Sequence, residues 1–215
     1  MPLSILCEDE RLIATAKPSG QLVIPGRGTA AGPTLQEQVE DHLRSKAYVV
    51  HRLDREASGI VLFAKDAAAH RALCLAFQTQ QVHKLYAALV QGCVEKDGTI
   101  DRPIRAFGSG RMGVGADGKS SITRYRVMDR LAAATLLEVE PKTGRRHQIR
   151  AHLCSIGHPI LGDPLYGKER PVGGVQRLML HAVSLKFKFE SRVFEVGCDI
   201  PRDFNDVLEQ AKIIL

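Results

Sequence analysis

The sequence predicts an α+β fold: a mixed, largely antiparallel sheet flanked by helices, formed as a single domain over residues 1–215. Three observations predict it. A length of 215 residues suits one sizeable domain. Short strand-like runs dominate, and they do not alternate with helices in a regular β-α order. Neighbouring strand runs are separated by short turns, as antiparallel pairs are.

The elements follow in chain order. RLIATAK (11–17) reads as a strand ending at the turn PSG. PTLQEQVEDHL (33–43) reads as a helix: Thr34 and Glu37 have capping-box spacing, and Leu35, Val39 and Leu43 form an i, i+4, i+8 stripe. GIVLFAK (59–65) is a buried strand. DAAAHRALCLAFQTQ (66–80) is the clearest helix, with Asp66 as its cap and Ala69, Ala72, Leu73, Ala76 and Phe77 on one face. VHKLYAALVQG (82–92) is a further strand, and FGSGRMGVGADGKS (107–120) reads as a long glycine-rich loop. SITRYRVM and ATLLEVEP are strands. TGRRHQIRAHLCSIG (143–157) is a turn leading into a helix that ends at Gly157. RLMLHAVSLKFKF and RVFEVGCDI are strands, and DFNDVLEQAKIIL (203–215) closes the chain as a helix.

Composition narrows the class. The chain is 44% hydrophobic and 25% charged, as soluble domains are. No apolar run approaches the roughly 20 residues needed to cross a bilayer, and the N-terminus lacks the pattern of a signal peptide. The expected location is therefore the cytoplasm, with no membrane partner. The five cysteines are scattered and form no C-x-x-C pair, which argues against a disulfide framework or a cysteine-based zinc site. A formal net charge of +6 favours polyanionic partners.

Two attractive motifs fail on context. GSGRMG (108–113) matches G-x-G-x-x-G, but more glycine follows it where a nucleotide site needs a helix. Its neighbourhood carries Arg105, Arg111 and Lys119, which suit an anionic ligand. His51, Asp54 and Ser58 mimic a hydrolase triad, but triads are assembled from distant segments and Ser58 lacks the nucleophile-elbow context. The histidines of 147–158 invite a zinc reading, although one helix seldom completes a tetrahedral site. No metal site is expected from these histidines.

The chemistry concentrates in two stretches. KTGRRHQIR (142–150) gathers Lys142, Arg145, Arg146 and Arg150 at a helix start, where cations oppose the helix dipole. Ile149, Leu153 and Ile156 make a core-facing stripe that leaves Arg146 and Arg150 on another side. Such an arrangement calls for an anion, either a carboxylate of the protein or a phosphate. HRLDREASG (51–59) sets Asp54 between Arg52 and Arg55. Arginine–carboxylate pairing holds a carboxylate in orientation and favours its ionised form. A carboxylate so held can be a nucleophile, a general base or one half of a structural ion pair.

Taken together, HRLDREASGIVLFAK, HKLYAALVQG, PKTGRRHQIRAHLCSIGHPILGDPLYG and RLMLHA resemble the RluA-type RNA pseudouridine synthases, in the family's order over residues 10–200. AKPSGQLVIPG resembles the family's first strand and turn. The resemblance implies the pseudouridine synthase catalytic fold and an isomerase. The N-glycosidic bond of a uridine is broken, the uracil turns, and it is rejoined through C5. It implies Asp54 as the catalytic aspartate, acting on the sugar, on the base or on a ribose proton. It implies Tyr86 as the aromatic side chain against the target base and Arg145 as the partner of the aspartate. It also implies Arg52 at the flipped-out nucleotide. His51, Lys84, Arg146 and Arg150 complete the expected substrate-binding set. The implied partner is ribosomal or transfer RNA, with no cofactor or metal required and no obligatory protein partner, and the lack of an evident exposed coiled-coil or apolar stripe in the sequence argues for a monomer. Ala57 and Ala16 replace the family's usual Thr and Asn. The matching sequence begins almost at residue 1, so no N-terminal S4-type RNA-binding domain is expected, and grip on RNA falls to the catalytic domain's own basic surface.

Overall fold

Apolar alternation and side-chain caps set the elements of the computed structural model, which describes residues 2–26, 32–167, 175 and 177–213. Its contacts gather into two compact units. One comprises Met1–His83 with Ala182–Asp199, the other Lys84–His181 with Ile200–Leu215. Among the described residues eight strand pairs run antiparallel, and helices accompany the strands, in keeping with the α+β expectation.

The first unit is built on β2 (Leu12–Lys17) and β4 (Ser58–Ala64), paired from Leu12↔Ala64 to Lys17↔Gly59. β1 (Ser4–Glu8) flanks β2, β3 (Tyr48–Val49) pairs with β4, and β11 (Leu180–Phe189) carries β12 (Arg192–Gly197). All seven residues of β4 are buried, because helices cover both faces of this sheet. Leu12, Ala14, Ile60 and Leu62 face α2 (Ala67–Gln78) through Ala69, Leu73 and Ala76. The alternate residues Ile13, Val61 and Phe63 face α1 (Leu35–Leu43) through Leu35 and Val39. Both helices start where the sequence places them. Thr34 and Glu37 close a capping box, and the Asp66 carboxylate accepts the amides of Ala68 and Ala69. Ala72 is exposed rather than part of the buried α2 face.

The second unit is a four-stranded antiparallel run, β5 (His83–Gln91), β10 (Ala134–Pro141), β9 (Ile122–Arg130) and β6 (Gly98–Asp101). α3 (Gln148–Ser155) follows β10, and α4 (Arg202–Ile213) covers the predicted C-terminal helix, whose residues 214–215 lie outside the described residues. Arg177 anchors α4 by donating from Nη1 to both carboxylate oxygens of Asp203 at 2.9 and 2.8 Å. The stretch read as a glycine-rich loop holds the turn and second strand of a small hairpin, β8 (Met112–Val114), which pairs with β7 (Ile104–Ala106) just before it. Three-residue strands with glycine in them carry too little periodicity to be read from sequence. Among the described residues no helix is long and apolar enough to cross a membrane.

Candidate active site

In the first unit, His51, Arg52 and Asp54 share the irregular segment 51–57 between β3 and β4. Arg52 is exposed and Asp54 is half-buried. The Asp54 carbonyl accepts the amide of Ala57 at 3.2 Å, closing a turn around Arg55 and Glu56.

This segment is clamped by the end of β2. Lys17 is 1% exposed, and its ammonium donates to the carbonyls of Pro18 (2.8 Å), Gln21 (2.9 Å) and Arg55 (2.9 Å). A buried ammonium is tolerated only when its donors are satisfied, and those three carbonyls engage all three N–H bonds. Further bonds join the same two turns. Ser19 Oγ donates to the Glu56 carbonyl at 2.6 Å, the Gly20 amide to the Arg55 carbonyl at 2.8 Å, and Arg55 Nε to the Gly20 carbonyl at 3.0 Å. The PSG turn therefore grips residues 55 and 56, directly after Asp54. Sequence reasoning missed Lys17. Its one signal is a lysine at the end of an otherwise apolar strand, immediately before Pro-Ser-Gly.

His51, expected at the substrate, serves this framework. Its Nε2 accepts the Leu62 amide at 3.1 Å, and its ring stacks on Phe77 with centroids 4.7 Å apart. The accepting Nε2 requires the tautomer that carries its proton on Nδ1.

In the second unit, Lys84 and Tyr86 stand two residues apart on β5 and so share one face of the strand. Both are half-buried, and Tyr86 lies opposite Val139 of β10. Burial pulls the Lys84 ammonium below its ordinary range, against the opposing pull of the Glu140 carboxylate. Glu140 is itself bonded to the Lys142 ammonium.

Beyond β10, residues 142–147 run to the start of α3, and Arg145 and Arg146 are exposed there. They precede the helix rather than occupying its first turn. The segment is organised by Gln148, which is 4% exposed. Gln148 Oε1 accepts from Thr143 Oγ1 (2.7 Å) and from the Arg145 amide (3.0 Å), and its Nε2 donates to the Ile122 carbonyl (2.9 Å) and Thr123 Oγ1 (3.0 Å). One buried amide thus shapes the backbone that presents Arg145, whose Nε donates to the Ser120 carbonyl at 3.3 Å. A glutamine beside two arginines gives no sequence signal of such a role.

The chain of bonds continues to His152, which is fully buried. Thr123 Oγ1 lies 2.8 Å from its Nδ1, and the Arg102 carbonyl lies 2.9 Å from its Nε2. Nε2 donates to the carbonyl, so Nδ1 accepts from the threonine. With both nitrogens engaged, His152 is a fold residue and not a metal ligand. Burial holds its imidazole below the ordinary histidine range. Among the described residues no group of three or more His, Cys, Asp or Glu side chains is placed to hold a metal ion.

Arg150 corrects the sequence expectation. The apolar stripe sets it on another side of the helix, with the substrate-binding arginines, but α3 is buried from Gln148 to Leu153 and Arg150 is 1% exposed. Its Nε and Nη2 donate to the two carboxylate oxygens of Asp163, each at 2.8 Å. Asp163 Oδ1 also accepts the amides of Leu165 and Tyr166 at 2.9 and 3.1 Å. Spacing along the helix carries no sign of the buried carboxylate that pairs with Arg150, since Asp163 lies 13 residues further along the chain.

Residues 11–155 match the family model described as RNA pseudouridylate synthase. The chain is 42% identical over 200 residues to the ribosomal large subunit pseudouridine synthase D of Nitrosomonas europaea, covering 86% of this chain and 58% of that protein. It is 39% identical over 212 residues to the dual-specificity RNA pseudouridine synthase RluA of Vibrio cholerae, covering 97% of this chain and 86% of that protein. Among solved structures, human RNA pseudouridylate synthase domain containing 1 superposes with a TM-score of 0.80 at 27% identity, over 93% of this chain and 84% of that one.

Proposed function

The chain belongs to the RNA pseudouridylate synthase family, isomerases that convert uridine to pseudouridine in RNA, and on that premise we propose that Asp54 is its catalytic carboxylate. The observation that carries this reading is the Lys17 clamp. Three carbonyl bonds to a buried ammonium, with Ser19 and Gly20 beside them, hold the turn that follows Asp54. A carboxylate used in covalent or proton-transfer chemistry gains from such a fixed backbone, since misplacement by about 1 Å costs on the order of 100-fold in rate.

The reaction breaks the bond from C1′ to N1 of the target uridine, forms a bond from C1′ to C5, releases the C5 hydrogen as a proton and places a proton on N1. Asp54 starts it by attack on the sugar or base or by taking a ribose proton. The target nucleotide leaves the stack at a cost of a few kcal/mol, and Arg52, exposed and next to the clamped turn, occupies the place it vacates. Tyr86 stacks on the uracil, for about 1–3 kcal/mol. Arg145 is the cationic partner that the TGR motif supplies to the carboxylate, and Lys84 and Arg146 serve the phosphates. The buried Arg150 has no part in this set.

Ribosomal or transfer RNA is the substrate class. The Nitrosomonas europaea relative is named for the ribosomal large subunit and the Vibrio cholerae relative for dual specificity, so large-subunit ribosomal RNA is the first to assay. The protein acts in the cytoplasm as a monomer, without a protein partner. Incubation with RNA carrying tritium at C5 of uridine tests the activity directly. Tritium release into water is expected, and RNA that keeps its label with every substrate class would overturn the reading.

A further inference from the structure

The β7–β8 hairpin presents two chemically different faces. In its register Ile104 opposes Val114, Arg105 opposes Gly113 and Ala106 opposes Met112. Directly opposed residues of an antiparallel pair share a face, and alternate residues along each strand do too. One face is dry: Ile104 is 2% exposed and clusters with Ala151, Tyr166, Met112 and Cys154. The other carries Arg105, opposite Gly113, and Phe107, whose amide donates to the Arg111 carbonyl, with Gly115 two residues beyond Gly113 on that face.

Those two glycines leave a bare floor. A Cβ on Gly113 would stand 2.7 Å from Phe107 Cε2, and one on Gly115 would stand 2.7 Å from Arg105 Nε. Both side chains therefore pack close against the hairpin backbone, and the Arg105 guanidinium stacks over the Phe107 ring, 4.3 Å from its centroid. Asp117 steadies that guanidinium at 3.2 Å. Phe107 still has 41% of its surface exposed, and it is the only aromatic among the large exposed hydrophobic side chains of the described residues. The hairpin is tied down from its dry side, where Tyr166 Oη accepts the Met112 amide at 2.9 Å. Cations surround the tip: the Arg111 guanidinium lies 5.1 Å from the Tyr166 ring centroid, and Arg146 Nη2 comes within 3.6 Å of the position a Cβ on Gly110 would take.

We propose that Phe107 and Arg105 form a stacking platform for one unpaired RNA base outside the target uridine, with Arg111 and Arg146 taking the phosphates beside it. This rests on the reading of the protein as an RNA enzyme and adds a contact that fixes which RNA segment is held. The chemistry selects an unpaired nucleotide. A stacked aromatic–guanidinium pair can extend its stack with the face of any base, and paired bases do not offer that face. A protein partner would call for a wider apolar area than one phenylalanine among arginines.

The sequence contains no tryptophan, so Phe107→Trp installs a single fluorophore on the platform. Titration with a short unstructured RNA is expected to quench its emission, and a blunt RNA duplex of equal length is expected not to. Phe107→Ala is expected to weaken binding of the unstructured RNA about tenfold, the loss of one base stack. Its salt dependence stays as in the parent, whereas Arg111→Ala lowers the salt slope by about one. Thermal melts of both Phe107 variants report folding separately. Absence of quenching together with parental affinity in Phe107→Ala overturns the proposal, as does equal quenching by the duplex. The tritium assay run on the same preparations separates the two readings. Label release without quenching removes the platform alone. Quenching without label release removes the enzymatic reading and leaves an RNA-binding platform.

Discussion

The Lys17 ammonium donates to the Arg55 carbonyl at 2.9 Å from a side chain that is 1% exposed, and so joins the end of β2 to the residue after Asp54. Lys17→Met keeps the apolar stem and removes the charge and its three hydrogen bonds, leaving the carbonyls of Pro18, Gln21 and Arg55 without that donor. We expect a loss on the order of 2–4 kcal/mol in urea unfolding, as for buried polar groups stripped of a partner. Activity should fall further than the unfolded fraction explains, because the turn following Asp54 loses its tether. Parental turnover in folded Lys17→Met would show that the clamp does not position the carboxylate.

Arg150 and Asp163 form a buried bidentate pair, with side chains 1% and 0% exposed. Truncating one partner leaves an uncompensated buried charge, so Arg150→Ala should cost about 3–5 kcal/mol. The double variant with Asp163→Ala should lose less than the sum of the singles. Arg146→Ala, at an exposed position, should leave stability within about 0.5 kcal/mol. Urea midpoints for the parent, the two singles, their double variant and Arg146→Ala check the contrast between a framework arginine and a surface one.

His152 makes the second unit sensitive to acid. Its folded imidazole is held neutral below the ordinary range by burial, while the unfolded chain protonates near pH 6.5. Below that pH the unfolded state takes up a proton that the folded state refuses, so stability is lost as pH falls from about 6.5 towards the depressed folded value. His152→Gln should flatten the stability profile between about pH 7 and 5. A profile as steep as the parent's would place the titration on another group.

Binding to RNA should weaken steeply with salt, because each phosphate contact releases counterions. Arg146→Ala should lower the slope of log affinity against log salt by about one. A flat dependence between low and moderate salt would contradict the basic-surface account.

Much of the scaffold was legible because long periodic segments and caps are local signals. The Thr34–Glu37 box, the Asp66 cap and the apolar run of β4 each announce an element within a few residues. What escaped depends on contacts distant in sequence. Lys17 meets Arg55 across 38 residues, and Gln148 meets Ile122 across 26. Arg150 looked exposed because its spacing set it off the apolar stripe, and only the fold supplies Asp163. The hairpin that carries Phe107 was hidden in what read as a loop, since two glycines that break local periodicity are the floor on which Arg105 and Phe107 lie.

The central claim is that Asp54 performs the chemistry. Mapping pseudouridine across large-subunit ribosomal RNA and transfer RNA, after treatment with the parent protein and with Asp54→Asn, tests it most directly. The account predicts new pseudouridine with the parent and none with Asp54→Asn, while RNA affinity of the variant stays within a few-fold. Uridine conversion by Asp54→Asn would contradict it.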